Sequence, residues 1–346
     1  MKKWITVALC LLCLSVPARA VEMTVPDAPD SAQALMPGQS GGFGADLVYI
    51  LRSAFSSVRP QVRNCLRICS RIFAALMVMS IVGPLQAGSF DAVRLVGVAV
   101  VAGLLLEPSH ALISDGVQTV RQLSEYGKLL LPVLTATLAA QGGGGSAAAL
   151  YSATALLNAL LGQLICGILV PALYAFLLLS VAAAATGQEL LGRLRQSVLN
   201  LSGKALRTVV YVFTGYLSIT GVVTGAADQM TLKTTKLTIS GMVPVVGGIM
   251  ADASETILIS AGIVKSTAGI AGLLTVIAIG IEPFLRIGVQ YLSLKAMAAV
   301  SPVFAGKEVS GLLGDFSGAM GLLLAMTGCE CLFILISTIC FMKGVG

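Results

Sequence analysis

The chain has 346 residues, 56% of them hydrophobic and only 11% charged, with a formal net charge of +6. An ordinary soluble domain is about one quarter charged, so there is too little polar surface here to cover a water-soluble fold. Long runs of Ala, Leu, Ile, Val and Gly that do not alternate exclude a transmembrane barrel, and the lack of a basic patch interleaved with aromatics speaks against nucleic acid. The composition predicts an all-α, polytopic helical membrane protein.

Residues 1–20 read as a signal peptide. Lys2 and Lys3 form its charged start, Ile5 to Val16 its apolar stretch, and Ala18-Arg19-Ala20 a small-x-small cleavage site. Residues 21–64 follow as an extracytoplasmic linker, rich in Pro, Gly, Ser, Asp and Gln, that passes into an amphipathic segment from Asp46. Gly38-Gln39-Ser40-Gly41-Gly42 fits G-x-S-x-G, but it sits in this linker and not at a strand-to-helix elbow. Arg52, Arg59, Arg63, Arg67 and Arg71 make a basic flank of the kind that faces headgroups. Residues 65–117 hold the first two spans, at about 66–87 and 92–110.

From 118 onward the chain repeats itself, with copies over 118–226 and 227–346. Leu131-Pro132-Val133 matches Val243-Pro244-Val245, and Pro171 and Pro283 each follow the earlier proline of their copy by 39 residues. Gly187-Gln188-Glu189 likewise matches Gly306-Lys307-Glu308. Each copy opens with a short apolar run that contains a proline. The first, Leu129 to Ala140, ends in a flexible tip at Gly142, Gly143, Gly144 and Gly145. The second, Ser240 to Ala251, ends at Asp252 and Glu255. Twelve helical residues reach about 18 Å, against a hydrocarbon core of roughly 30 Å, which favours a re-entrant segment. Basic loop residues Arg193, Arg195, Lys204 and Arg207 favour a full crossing instead. Counting spans at 148–166, 167–186, 207–226, 257–281, 284–303 and 320–342 gives about eight spans plus the two short segments. The repeats are inverted if those segments turn back and parallel if they cross. Residues 188–205 form an amphipathic helix suited to a lipid surface or a partner.

Paired short, interrupted segments point to the working centre of a transporter-like fold. Asp252 and Glu255 share a helical face, and Lys265 lies on roughly the same side. Ionisable groups at membrane depth face a bundle interior or a cavity, so these three are candidates for a polar path or gate, with helix capping at an interface as the competing reading. Glu282, Arg286 and Glu330 are further candidates, and Glu282 and Arg286 are spaced to pair. The eight cysteines lack companion ligands, because the chain has a single histidine, His110. No P-loop lysine occurs. The expectation is a protein that is not an enzyme and needs no cofactor.

Residues Asp228 to Lys236, which include Lys233, resemble the stage III sporulation protein AE family. So do Gly241 to Gly248, with Pro244, Gly247 and Gly248, and Asp252 to Thr256. The resemblance implies a multi-pass protein of the mother-cell membrane around a forespore. It implies membership of a channel or secretion-like complex needed for late forespore gene expression. The implied partners are a secretion-type ATPase, ring-forming proteins, other stage III sporulation proteins and a forespore membrane docking protein across the intermembrane space. It supplies no catalytic residues, so Lys233, Lys236, Pro244, Gly247 and Gly248 are motif positions. A secondary transporter for a small solute and a membrane scaffold are the competing functions.

Overall fold

The protein is described from a computed structural model that covers residues 26–37, 42–82, 92–140, 144–219 and 267–343. Among these residues every regular element is a helix. A short α1 (Asp30–Gln33) precedes α2 (Phe43–Val82) and α3 (Ala92–Ala140). Helix α4 (Gly144–Leu164) runs through a π-helical turn (Ile165–Leu169) into α5 (Val170–Thr186), and α6 (Glu189–Ile219) folds back. Helix α7 (Thr267–Val300) ends in a 3-10 turn (Ser301–Val303), and α8 (Lys307–Lys343) closes the described chain.

The helical membrane-type architecture matches the sequence expectation, and the count of about eight spans is not reached among the described residues. Among the described residues five helices are long and apolar enough to cross a membrane: Phe43–Val82, Leu95–Ala139, Ala147–Thr186, Gly269–Val303 and Lys307–Met342. The segments read as separate spans at 148–166 and 167–186 are one helix. Leu129–Ala140, read as a short segment, is the end of α3, which runs on unbroken from 92–110. Residues 284–303 continue a helix that already runs from Thr267. Residues 189–219 join the amphipathic segment to most of the span expected at 207–226.

The reason is the same in each case. Pro108, Pro132 and Pro283 lie inside helices. Each removes one backbone hydrogen bond and crowds one carbonyl, a local cost that neighbouring helices offset. At Pro171 the π turn just before it loosens the helix where the ring would meet the carbonyl of Gly167. Real stops are made differently. Gly187 adopts φ 68° and its N–H reaches the Ala183 carbonyl at 2.9 Å, ending α5.

Helix α8 is the axle of the bundle, with 83% of its apolar window buried. Helix α7 packs antiparallel to it. Gly280 faces Cys331, Gly328 faces Phe284, and Gly321 faces Tyr291. Helix α3 packs parallel to it, with Gly116 against Leu323 and Thr327 and Gly127 against Ile334. Small residues at these crossings let backbones approach closely, as helices in lipid require. Helix α2 is pinned to α7 where the Cys65 thiol donates to Gln290 Oε1 at 2.9 Å. Helix α6 is held to α8 by Phe213 on Phe333, ring centroids 4.3 Å apart.

Candidate functional site

The level of each side chain along the bundle follows from the helix contacts. His110 on α3 meets Tyr174 on α5, and Ser124 on α3 meets Asn158 and Gly162 on α4. The two helices therefore run antiparallel, with Gln118 level with Cys166. Cys166 is close to the middle of Ala147–Thr186, a stretch without a single charged residue. At 1.5 Å per residue this uncharged helix is about 60 Å long, twice a hydrocarbon core, and the turn of α3 around Gln118 packs level with its middle.

Ionisable groups gather at that level. Arg286 on α7 binds Glu282 at 2.5 Å, the pair expected from their i, i+4 spacing, and also reaches Asp115 on α3 at 3.9 Å. Glu282 is the most enclosed of the three side chains. The arrangement ties α7 to α3 and holds a cation between two carboxylates.

Glu330 lies on α8 between the Gly116 and Gly127 crossings of α3. It is fully buried, and among the described residues neither carboxylate oxygen has a hydrogen-bond partner. The nearest strong field comes from Lys128 on α3. Close by, the Asn158 side-chain N–H donates to the Ser124 carbonyl at 3.1 Å, while its own oxygen is unpartnered. A fully buried carboxyl of this kind is a group that can exchange a proton. Nearer the bundle end Arg195 on α6 makes a close ion pair with Asp315 on α8, both mostly buried.

Among the described residues no three His, Cys, Asp or Glu side chains come together as a metal site would need. Cys65, Cys69, Cys166, Cys329, Cys331 and Cys340 are free thiols, buried or partly so. His110 Nδ1 lies 2.9 Å from the Tyr174 hydroxyl.

Of the sequence candidates, the structure brings together Glu282 and Arg286 and encloses Glu330 apart from them. Asp252, Glu255 and Lys265 lie outside the described residues, as do Lys233, Lys236, Pro244, Gly247, Gly248, Gly142 and Gly143. Gly144 and Gly145 open helix α4. Sequence reasoning missed Asp115, Ser124 and Asn158. Asp115 was placed outside a span because the second span was ended at 110, and the only signal for Asn158 was a side-chain amide within a largely apolar run.

A family model described as Stage III sporulation protein AE matches residues 38–344. The chain belongs to this family. It is also similar to a protein of Bacillus subtilis (strain 168) named Stage III sporulation protein AE, 27% identical over 210 residues. That match takes in 60% of this chain and 53% of the relative, so the chain spans about half the length of the curated relative. No solved structure matches. It is a member of a sporulation protein family with membrane-type helices, and nothing in the family description assigns it catalysis.

Proposed function

We propose that the protein is a multi-pass component of a channel or secretion-like complex that links mother cell and forespore, and that its bundle contributes to the conduit. The location follows in the proposal: the mother-cell membrane around the forespore. A secretion-type ATPase and ring-forming proteins act as partners, and a docking protein approaches from the forespore side. In this reading 118–226 and 227–346 are two copies of one unit. Each contains a proline-bearing long helix, then a turn, then a helix opening at Glu189 or Lys307.

The observation that carries the conduit reading is that Asp115, Glu282, Arg286 and Glu330 gather between helices long and apolar enough to cross a membrane. Ionisable groups on such helices are costly and are kept where they serve a path. A scaffold role is the second reading. It is favoured by α6, which turns Leu190, Leu194 and Leu201 outward while Leu206 and Phe213 pack inward.

The test is made in the sporulating host. Removing the protein is expected to abolish a late forespore reporter, and replacing Glu282 and Arg286 together with Gln and Met is expected to lower it while the protein still accumulates and recruits its partners. Normal reporter output from the double variant makes the scaffold reading the better one. Normal output without the protein rejects both.

A further inference from the structure

Glu330 is held where three helices meet. On α8, Leu323 and Thr327 lie against Gly116 of α3, and Ile334 lies against Gly127. Glu330 falls between them at the same three-to-four-residue spacing, so it belongs to the face that α8 turns toward α3. Helix α4 brings its Asn158 amide to the same place, 3.1 Å from the Ser124 carbonyl and close against Gly127. The π turn closes a further side, because the Cys166 thiol lies within the electrostatic reach of both Glu330 and Arg121.

This junction has acceptors and lacks donors. Glu330 has no exposed surface, and among the described residues neither its two carboxylate oxygens nor the Asn158 side-chain oxygen has a hydrogen-bond partner. The acids and bases around it are few. Helix α3 brings Lys128 and Arg121, both exposed to water, which weakens their pull. Among the described residues no cation comes within 4.0 Å of Glu330. The π turn brings Cys166, and α8 itself brings Cys329 and Cys331. On α7 the Glu282–Arg286 pair is turned to Asp115. Helices α4 and α5 carry no charged residue, and beyond Arg207 the titratable groups of α6 are Tyr211 and Tyr216. A carboxylate enclosed without donors or a close counter-charge neutralises by taking up a proton.

We propose that Glu330 is a proton-binding site of the bundle: its carboxyl is an acid while α3 and α8 are closed on it, and it exchanges that proton with water when the contact opens locally. One proton passes from water to the carboxylate as the junction closes and returns as it opens, with no other bond made or broken. A proton held by the closed form favours closing, and closing favours the proton by the same factor. The inference goes beyond the conduit reading and stands without it.

The test uses the full chain in lipid nanodiscs and reads the carboxyl by infrared difference spectroscopy, unaltered protein against Glu330→Gln. The expected difference at neutral pH is a carboxylic-acid C=O band that shifts in deuterated water and gives way to a carboxylate band as the medium is made alkaline. The unaltered protein is also treated with dicyclohexylcarbodiimide, an apolar reagent that adds to a protonated carboxyl, and the adduct is located by peptide mass spectrometry. Labelling of Glu330 is expected about tenfold or more above that of Glu282 and Asp315, whose carboxylates are ion-paired, and it is expected to fall at alkaline pH.

Three results overturn the proposal. A carboxylate band at neutral pH makes Glu330 an ion with Lys128 as its counter-charge. An acid band that neither shifts in deuterated water nor responds to pH makes it a sealed group that exchanges nothing. Where Glu330→Gln does not accumulate, the adduct on the unaltered protein decides, and labelling of Glu330 no stronger than of Glu282 rejects the site. The late forespore reporter, compared with and without the protein, judges the channel role separately, so the proton site can fail while that role stands.

Discussion

Helices α2 and α8 have nearly the same length, and both are apolar enough to span a membrane, yet they are used in opposite ways. In α8 83% of the apolar window is buried, in α2 only 22%. Helix α8 keeps its polar groups inside, where Asp315 meets Arg195 and Glu330 is enclosed. Helix α2 turns Arg52, Arg59, Arg63, Arg67 and Arg71 outward, all exposed. The difference teaches that apolar length sets which helices enter the membrane, while the placement of a few charges sets which of them become the axle. A charge on α8 has a protein environment tailored around it, whereas a charge on α2 has only solvent or headgroups.

The contrast predicts a graded response to substitution. The largest effect is expected from Asp315→Ala, which strands Arg195 in a mostly buried site. Removing one partner of a buried pair costs about 3 kcal/mol or more, read as a large drop in thermal stability in detergent. A loss below about 1 kcal/mol would place α6 in solvent and weaken the role of α8 as axle. Next comes Gly116→Val. A Cβ there meets Leu323 at 2.9 Å and Thr327 at 3.4 Å, so overpacking is expected to cost about 1–3 kcal/mol. Gly103→Ala on the same helix, with open space around its Cβ, is the control expected to leave stability unchanged or higher.

Glu330→Met has a smaller effect of opposite sign. It replaces an unpartnered buried carboxyl with an apolar side chain of similar length, so stability is expected to rise by about 1 kcal/mol. A fall would reveal a partner for Glu330 in the folded protein. The smallest effect on stability, within about 0.5 kcal/mol, is expected for Arg59→Gln and Arg63→Gln on α2. Each is nevertheless expected to weaken binding to anionic vesicles by about 1 kcal/mol, measured by co-sedimentation at low salt. Unchanged binding would remove the headgroup role of that face and leave α2 and α8 less different than they look.

Much of this was legible in the sequence. The helical membrane class follows from composition, because backbone polar groups in lipid must be satisfied within the helix. The Glu282–Arg286 pair follows from spacing alone. Helix α3 also has an exposed polar face that was there to be read, in the recurrence of polar residues between Glu107 and Lys128, but ending a span at 110 hid its helical period. Proline misled the reading of helix ends. Pro132 and Pro283 look like breaks on a string of letters, and inside a bundle they are single missing hydrogen bonds.

What the sequence determined by itself is therefore the medium, the helical class, the family and the local pairs, since each depends on transfer free energy or on residues a turn apart. What only the tertiary structure decided is which helices are continuous, which one lies at the centre, and which charges share a depth. Those depend on contacts between residues far apart in the chain, such as Asp115 with Arg286 or Gly127 with Ile334. No local pattern encodes such contacts, because the free energy that selects them belongs to the packed bundle as a whole.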